Sequence, residues 1–274
     1  MADTLRVAVV QLSSQEDVSR NLARATELAL RASTEGAKLV VLPENFAYMG
    51  GSDEGKRAVA EPLEAEPRGP IMTALADIAR RSGAYVVAGG MPERSDDADR
   101  PYNTCAVIAP DGTLAGRYRK VHLFDVEVGD GQRYRESAST MPGADAVVLP
   151  ILGFRVGLSV CYDIRFPELY RKLADKGAEV IVVPAAFTLA TGKDHWHVLL
   201  RARAIESQSY VAAAAQWGVH PKDRRTYGKS LIADPWGDVI SQCSDGEGFT
   251  VATIDRARLD SVRSTLPSLR HRRL

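Results

Sequence analysis

The segment Glu35-Gly-Ala-Lys-Leu-Val-Val-Leu-Pro43 has a counterpart in Lys176-Gly-Ala-Glu-Val-Ile-Val-Val-Pro184. In each, the second residue is a glycine that stops a helical pattern, a β-prone apolar run follows, and the segment ends in proline. An apolar run of this length between such residues is typical of a buried strand. The two segments therefore predict one buried strand in each half of the chain.

The neighbouring segments repeat in the same order. Arg6-Val-Ala-Val-Val10 resembles Arg155-Val-Gly-Leu-Ser159, Ala84–Ala88 resembles Ser209–Ala213, and the turn Ala109-Pro-Asp-Gly112 matches Asp234-Pro-Trp-Gly237. Each half reads as strand, helix, strand, helix and then strands that end in a hairpin. Because neither half could cover its sheet alone, we expect two mixed sheets packed face to face with helices outside. The prediction is an α/β, four-layer αββα sandwich in which residues 1–274 form a single domain.

Hydrophobic spacing and turn residues define the expected elements. The predicted strands are Leu5–Leu12, Lys38–Leu42, Tyr85–Ala88, Thr104–Ala109, Leu114–Tyr118 and Arg155–Val160. The predicted helices end at Gly36, run from Pro70 to Gly83 and from Pro167 to Gly177, run from about Asp194 to Ser207, and begin again near Asp255 before a basic tail. Residues 50–68 read as a loop with a short helix.

Composition excludes several classes of protein. The 274 residues are 45% apolar and 26% charged, as expected of a soluble globular chain with a full core. Lys plus Arg equals Asp plus Glu at 35 each, so we expect no nucleic-acid and no membrane partner. Three widely spaced cysteines and a polar N-terminus indicate a reducing compartment, and we expect a cytoplasmic protein.

Cys161 lies where the predicted strand 155–160 meets the start of a helical region. Backbone N–H groups are free at a helix start and their field favours a thiolate, which makes Cys161 a candidate nucleophile. A buried structural cysteine is the alternative, since free cysteine packs as a small hydrophobic residue. Cys105, inside an apolar strand, is assigned to the core, and Cys243 to no function.

Three charged residues are candidates for chemistry. Glu44 follows a buried strand, where a carboxylate can lie in a cleft. Lys120 follows the hairpin strand, and Glu136 is a weaker candidate. For each, a solvated surface position is the alternative.

No histidine has a spacing that requires a role. His195 and His197 are two residues apart, but on a helix they point to different faces. We therefore expect no metal and no cofactor.

Three segments read together resemble the nitrilase superfamily of carbon–nitrogen hydrolases. They are Leu42-Pro-Glu44-Asn45, Arg119-Lys120-Val-His-Leu-Phe-Asp125 and Val160-Cys161-Tyr-Asp-Ile-Arg-Phe-Pro-Glu168. The resemblance covers essentially the whole chain and is closest to the Nit branch, through residues 136–143, 186–192, 200–206, 213–216 and 234–237. It implies the αββα sandwich that the repeat also predicts.

The resemblance also implies roles for single residues. Cys161 becomes the nucleophile and Glu44 the general base, with Lys120 as the family's lysine and Glu136 as its additional glutamate. The oxyanion would be held by Lys120 and the backbone N–H of Tyr162.

Substrate contacts are expected from strand ends near this site. The candidates are Phe46, Arg165, Phe187 and Thr188, with Arg201 and Arg203 as further arginines that could bind a carboxylate. Asp163 and Arg165 are also expected to brace the turn at Cys161.

The implied activity is hydrolysis of the primary amide of a small carboxylate substrate, with release of ammonia through a cysteine thioester. Deaminated glutathione is the expected substrate, and α-ketoglutaramate, the substrate of an ω-amidase, is the nearest alternative. N-carbamoyl amino acids and nitriles are weaker alternatives, and a non-catalytic partner-binding sandwich is an alternative of another class. The resemblance further implies a homodimer or a higher homo-oligomer.

Overall fold

The computed structural model describes residues 3–127 and 133–273. Met1, Ala2, residues 128–132 and Leu274 belong to the expected domain span but lie outside the described residues. The strands are β1 (Thr4–Gln11), β2 (Leu39–Leu42), β3 (Tyr85–Glu93), β4 (Tyr102–Ile108), β5 (Leu114–Arg119), β6 (Asp125–Glu127), β7 (Arg133–Arg135), β8 (Val148–Ile151), β9 (Phe154–Leu158), β10 (Val180–Val182), β11 (Tyr210–Ala213), β12 (Trp217–His220), β13 (Arg224–Tyr227), β14 (Leu231–Ala233), β15 (Val239–Gln242) and β16 (Gly248–Asp255). The helices are α1 (Val18–Thr34), α2 (Asp53–Ala58), α3 (Pro70–Ser82), α4 (Pro167–Asp175), α5 (Leu189–Ser207), α6 (Arg256–Thr265) and α7 (Ser268–His271), with 3₁₀ segments at Glu136–Ala138, Cys161–Arg165 and Pro221–Asp223.

Two six-stranded sheets have the same internal order. The first runs β16-β1-β2-β3-β4-β5, and the second runs β8-β9-β10-β11-β14-β15. In each, three parallel strands are flanked by antiparallel ones. The predicted αββα sandwich and its internal repeat are confirmed.

The first strand of each six-stranded order, β16 or β8, was not predicted from the sequence. Only one residue of each strand is fully buried, and β8 contains Pro150. Without a fully buried stripe, neither segment shows the alternation that identifies a strand. The helix α5 also begins five residues before the expected Asp194, because the Thr188 side chain caps it by accepting from Thr191 N.

The alternation of side chains divides the core into layers. On β1, Val7 and Val9 pack between the sheets, whereas Ala8 and Val10 pack beneath the helices. Leu39 is fully buried in the core between the sheets, together with residues of β9 and β10. The helices α1 and α3 bury the outer face of the first sheet, and α4 and α5 lie on the second.

Among residues 3–127 and 133–273, no helix is both long and apolar enough to cross a membrane.

Leu39→Ala should lower the free energy of unfolding by roughly 2–5 kcal/mol, because it leaves a cavity between two packed sheets. The matched change Leu189→Ala, at a position 39% exposed, should cost about 0.5 kcal/mol or less. Urea denaturation of both variants measures the difference. Equal losses would contradict the assignment of Leu39 to the inter-sheet core.

Candidate active site

A buried ion-pair network joins three segments that are far apart in the sequence. Lys120, which follows β5, is 2% exposed, and its Nζ donates to Glu44 Oε1 at 3.0 Å and to Glu136 Oε2 at 2.8 Å. Glu44 follows β2 and Pro43, and Glu136 opens the 3₁₀ segment after β7. The structure therefore brings together the acid, the lysine and the second glutamate that the sequence singled out.

Asn103 on β4 bridges the two carboxylates. Its Nδ2 donates to Glu44 Oε1 at 2.9 Å and to Glu136 Oε1 at 3.0 Å. Because the amide is neutral, it fixes both carboxylates without changing the charge of the network. The sequence signal for this residue is weak, since it consists of one amide within an otherwise apolar strand.

Cys161 borders the same network from a strained turn. Its φ of 48° lies in the left-handed region, which residues other than glycine rarely adopt. The Cys161 N–H donates to Pro184 O at 2.8 Å, which ties the turn to the segment after β10. The thiol lies against the Glu44 carboxylate and the Ala186 N–H. Strain that surrounding contacts maintain in this way is a feature of functional sites.

The two oxygens of Glu44 have different surroundings. Oε1 accepts from Lys120 and Asn103, whereas Oε2 accepts from Ala186 N at 3.0 Å. Because the thiol also lies beside the Ala186 N–H, Oε2 is the oxygen on the thiol's side. Gln216 Nε2 donates to the main-chain oxygen of Glu44 at 3.0 Å and so restrains its backbone.

Burial and neighbouring charges set the ionisation of the network. Burial alone would lower the pKa of Lys120, but the charges of Glu136 and Glu44 outweigh it and raise that pKa well above its usual range. Burial alone would raise the pKa of Glu136, but Lys120 and Lys56 lower that pKa to about 2. Lys120 is therefore an ammonium and Glu136 a carboxylate at neutral pH.

The Cys161 thiol is protonated at neutral pH in this structure. Burial is the largest cause that raises its pKa, the Glu44 charge raises the pKa further, and Lys120 opposes them. The expectation that this position favours a thiolate is therefore wrong. The local argument considered the field of the helix start and could not include a carboxylate 117 positions away in the sequence.

Asp163 connects the cysteine turn to the lysine loop. Its Oδ2 accepts from Val160 N at 2.8 Å and from the Tyr118 hydroxyl at 2.7 Å. Its Oδ1 accepts from His122 N at 3.1 Å and lies 2.7 Å from the His122 ring Nδ1. Since Val160 precedes Cys161, and Tyr118 and His122 flank Lys120, one fully buried carboxylate positions both functional groups.

The cavity above the network has a volume of about 650 Å³. Among the described residues, the basic side chains that border it are Lys56, Lys120, Arg133, Arg135, Arg165, Lys222 and Arg224, and the acidic ones are Glu44, Asp53 and Glu136. Basic groups thus outnumber acidic ones, and the cavity favours an anionic ligand.

Lys56 on α2 had no sequence signal. Its Nζ donates to Thr140 Oγ1, and burial, the largest cause, lowers the pKa of this lysine. A cation in the cavity wall adds to the positive potential near Glu136.

Several residues expected to contact substrate do border the cavity. They include Tyr162, Arg165, Phe187 and Thr188. The Arg165 guanidinium lies 5.0 Å from the centre of the Phe187 ring, and its Nη1 is 3.3 Å from His195 Nδ1. Tyr162 is the second residue of the 3₁₀ turn, so its N–H is one of those that the turn itself does not use.

The prediction that Phe46 lines the substrate cavity is wrong. Asn45 has a φ of 60°, which turns the chain so that Phe46 enters the core beneath α1 and α3 with no exposed surface. Arg201 and Arg203 do not border the cavity either. Arg201 Nε donates to Gly237 O, and Arg203 Nε donates to Ile164 O, so both arginines brace the backbone instead.

Residues 6–264 match the carbon-nitrogen hydrolase family. The chain is 46% identical over 272 residues to a deaminated glutathione amidase of Synechocystis, with 97% of both chains covered. It is 37% identical to the human omega-amidase NIT2, covering 98% of this chain and 95% of that one. The crystal structure of the C. elegans NitFhit protein superposes with a TM-score of 0.92 at 37% identity, covering all of this chain and 66% of that chain. The chain belongs to the carbon–nitrogen hydrolase family, in the Nit branch of the nitrilase superfamily.

Proposed function

We propose that the chain is an amidase, a single domain over residues 1–274, that cleaves an amide C–N bond through a thioester on Cys161. The observation that carries the proposal is the convergence of Cys161, Glu44 and Lys120 at one cavity. Membership of the carbon–nitrogen hydrolase family supports it. A non-catalytic partner-binding protein would have no need of a buried carboxylate against a buried thiol.

In the first half of the reaction, Cys161 attacks the amide carbonyl carbon while Glu44 takes the thiol proton. Because the thiol is protonated beforehand, proton transfer accompanies the attack. Lys120 and the Tyr162 N–H stabilise the oxyanion, and one such donor contributes about 3–4 kcal/mol. Glu44 then gives the proton to the departing nitrogen, the C–N bond breaks, and the acyl group remains on sulfur as a thioester.

In the second half, Glu44 removes a proton from water, and the resulting hydroxide attacks the thioester carbon. The C–S bond breaks, the thiol recovers the proton from Glu44, and the carboxylic acid leaves. Glu136 does not contact the thiol in this scheme. Its bonds to Lys120 Nζ and, through Asn103, to Glu44 position those two groups.

The proposed substrate is deaminated glutathione, supported by the basic cavity and by the amidases of that name at 42–46% identity. The alternative is α-ketoglutaramate, supported by the 37% identical omega-amidase. Both have the same keto-acid acyl group. They differ in the leaving group, because the first is a γ-amide of cysteinylglycine and the second is the primary amide that releases ammonia. The expected hydrolysis of a primary amide with release of ammonia therefore applies to α-ketoglutaramate, whereas deaminated glutathione would release cysteinylglycine.

The acyl group shared by both substrates ends in a carboxylate. We place Arg165 on that carboxylate, with Phe187 and Thr188 beside it, because an arginine fork suits a carboxylate and this guanidinium borders the cavity. Among the described residues, Arg165 forms no ion pair with an acidic side chain that would compete with the substrate.

A cytoplasmic homodimer is part of the proposal. All three cysteines are unpaired, which suits a reducing compartment. Val198 and Ile205 are exposed on one side of α5, and Ile205 lies against Gly237, next to the exposed Trp236. An apolar face of this kind is typical of a subunit contact.

Cys161→Ala should reduce hydrolysis by roughly 10³-fold or more, as loss of a nucleophile does. The matched change Cys243→Ala, at a buried cysteine away from the cavity, should retain activity. The assay follows cysteinylglycine release from deaminated glutathione and ammonia release from α-ketoglutaramate, with an N-carbamoyl amino acid and a nitrile as comparison substrates. Undiminished hydrolysis by the Cys161 variant would refute the thioester mechanism.

Glu44→Gln should lower the pKa of the Cys161 thiol, because the removed negative charge raises it in the wild type. Lys120→Met should raise that pKa, because it removes the opposing positive charge. The midpoint of iodoacetamide alkylation at Cys161, followed by mass spectrometry as pH rises, should move down in the first variant and up in the second. A shift of either midpoint in the reverse direction would contradict the charge arrangement, although both variants should hydrolyse amides poorly.

Ile205→Glu should convert the proposed dimer to a monomer by placing a charge in the apolar contact. Sedimentation equilibrium gives the mass of each species, and Arg225→Glu, on the exposed part of β13, is the control. A monomeric wild type would exclude the dimer.

A further inference from the structure

Arg224 on β13 borders the cavity, and the described residues use little of its hydrogen-bonding capacity. A guanidinium has five N–H donors. One Nη donates to Ala186 O over a long 3.4 Å, and the buried Nε has no partner within the described part of the chain. Across residues 3–127 and 133–273, no acidic side chain forms an ion pair with it. Arg119 and Arg203, by contrast, are paired with Glu93 and Glu206.

The contact with Ala186 places Arg224 on one particular side of the reacting carbon. Ala186 N donates to Glu44 Oε2, the oxygen on the thiol's side, and Ala186 O accepts from Arg224. The other oxygen, Oε1, is occupied by Lys120 and Asn103. The departing nitrogen must receive its proton from Glu44, so it lies nearest Oε2. The leaving group therefore starts on the side of the cavity that Arg224 borders.

A buried N–H donor without a hydrogen-bond partner destabilises the fold unless a ligand supplies the acceptor. A carboxylate is the group that a planar guanidinium binds best, because two parallel N–H···O bonds can form. Tyr134, whose ring centre lies 5.5 Å from the guanidinium carbon, supports the guanidinium from one face and leaves its edge for such a ligand.

We propose that Arg224 binds a carboxylate on the leaving group and selects amides of carboxylate-bearing amines over primary amides. This inference rests on the proposed amidase function and specifies the class of its substrate. In deaminated glutathione the leaving group is a dipeptide, which extends roughly 7 Å from the cleaved bond to its terminal carboxylate. Ammonia offers nothing for Arg224 to bind, so α-ketoglutaramate uses only the acyl side of the cavity.

The experiment measures kcat/KM of the wild type, Arg224→Gln and Arg225→Gln on three substrates. These are deaminated glutathione, its glycine methyl ester, and α-ketoglutaramate. Loss of one charge-assisted, bidentate contact should lower kcat/KM of Arg224→Gln for deaminated glutathione by roughly 10- to 100-fold relative to α-ketoglutaramate. Arg224→Lys should recover part of the loss, since it keeps the charge without the fork.

The ester separates recognition of the carboxylate from a general effect on the fold. In the wild type, esterification of the substrate should lower kcat/KM by the same factor as Arg224→Gln lowers it for the free acid. In Arg224→Gln, esterification should lower kcat/KM little further, because both changes remove the same contact. Arg225→Gln, at the exposed neighbouring position, should leave all three values unchanged.

Three results would overturn the inference while leaving the proposed function intact. The first is an equal loss of kcat/KM in Arg224→Gln for deaminated glutathione and α-ketoglutaramate. The second is no loss for either substrate. The third is a kcat/KM for the ester that remains as far below that for the free acid in Arg224→Gln as it is in the wild type. If the wild type hydrolyses neither keto-acid amide, the proposed substrates fail, and the inference fails with them.

Discussion

The buried ammonium of Lys120, shared between Glu44 and Glu136, is the interaction on which the rest of this site depends. A lysine with almost no exposed surface is strongly destabilising unless carboxylates accept its hydrogen bonds. Two carboxylates around one ammonium leave an excess negative charge. Asn103 stabilises this charge by donating a hydrogen bond to each carboxylate. The strands β2, β4 and β5 must therefore be in register before this network can form, and the network in turn fixes the carboxylate against the thiol.

A further buried carboxylate, Asp163, connects the backbone around Cys161 to the backbone around Lys120. It holds the backbone before Cys161 and the residues two positions either side of Lys120, so one carboxylate fixes the proposed nucleophile relative to the proposed oxyanion donor. Cys161 lies in the segment after β9 of the second sheet, and Lys120 follows β5 of the first sheet. The interface between the two sheets is thus where the chemistry is aligned, and the strained φ of Cys161 persists because contacts from both sheets surround it.

Sequence reasoning found the parts of this protein that carry local or repeated signals. The repeated segments at 35–43 and 176–184 predicted two equivalent sheets, and three short motifs identified Glu44, Lys120 and Cys161. It failed where the outcome depends on distant groups. Phe46 was misplaced because one left-handed residue, Asn45, redirects its side chain into the core. The pKa direction of Cys161 was wrong because Glu44 and burial, neither visible near the cysteine, outweigh the helix field. Arg224 and Lys56 carry no local signal at all, since a basic residue in a short strand or a short helix is usually solvated.

The pairing of β1 with β16 has a consequence for how the chain is made. Thr4 lies opposite Asp255, and the ladder continues to Gln11 opposite Gly248, so β1 is synthesised long before β16, one of its two neighbours in the sheet. Until β16 has been made, the largely buried strand β1 is itself an edge of the first sheet, and the unpaired backbone groups of such an edge promote aggregation. The nascent chain must therefore shield β1 until β16 has emerged, and a protein shortened before β16 would expose β1 permanently.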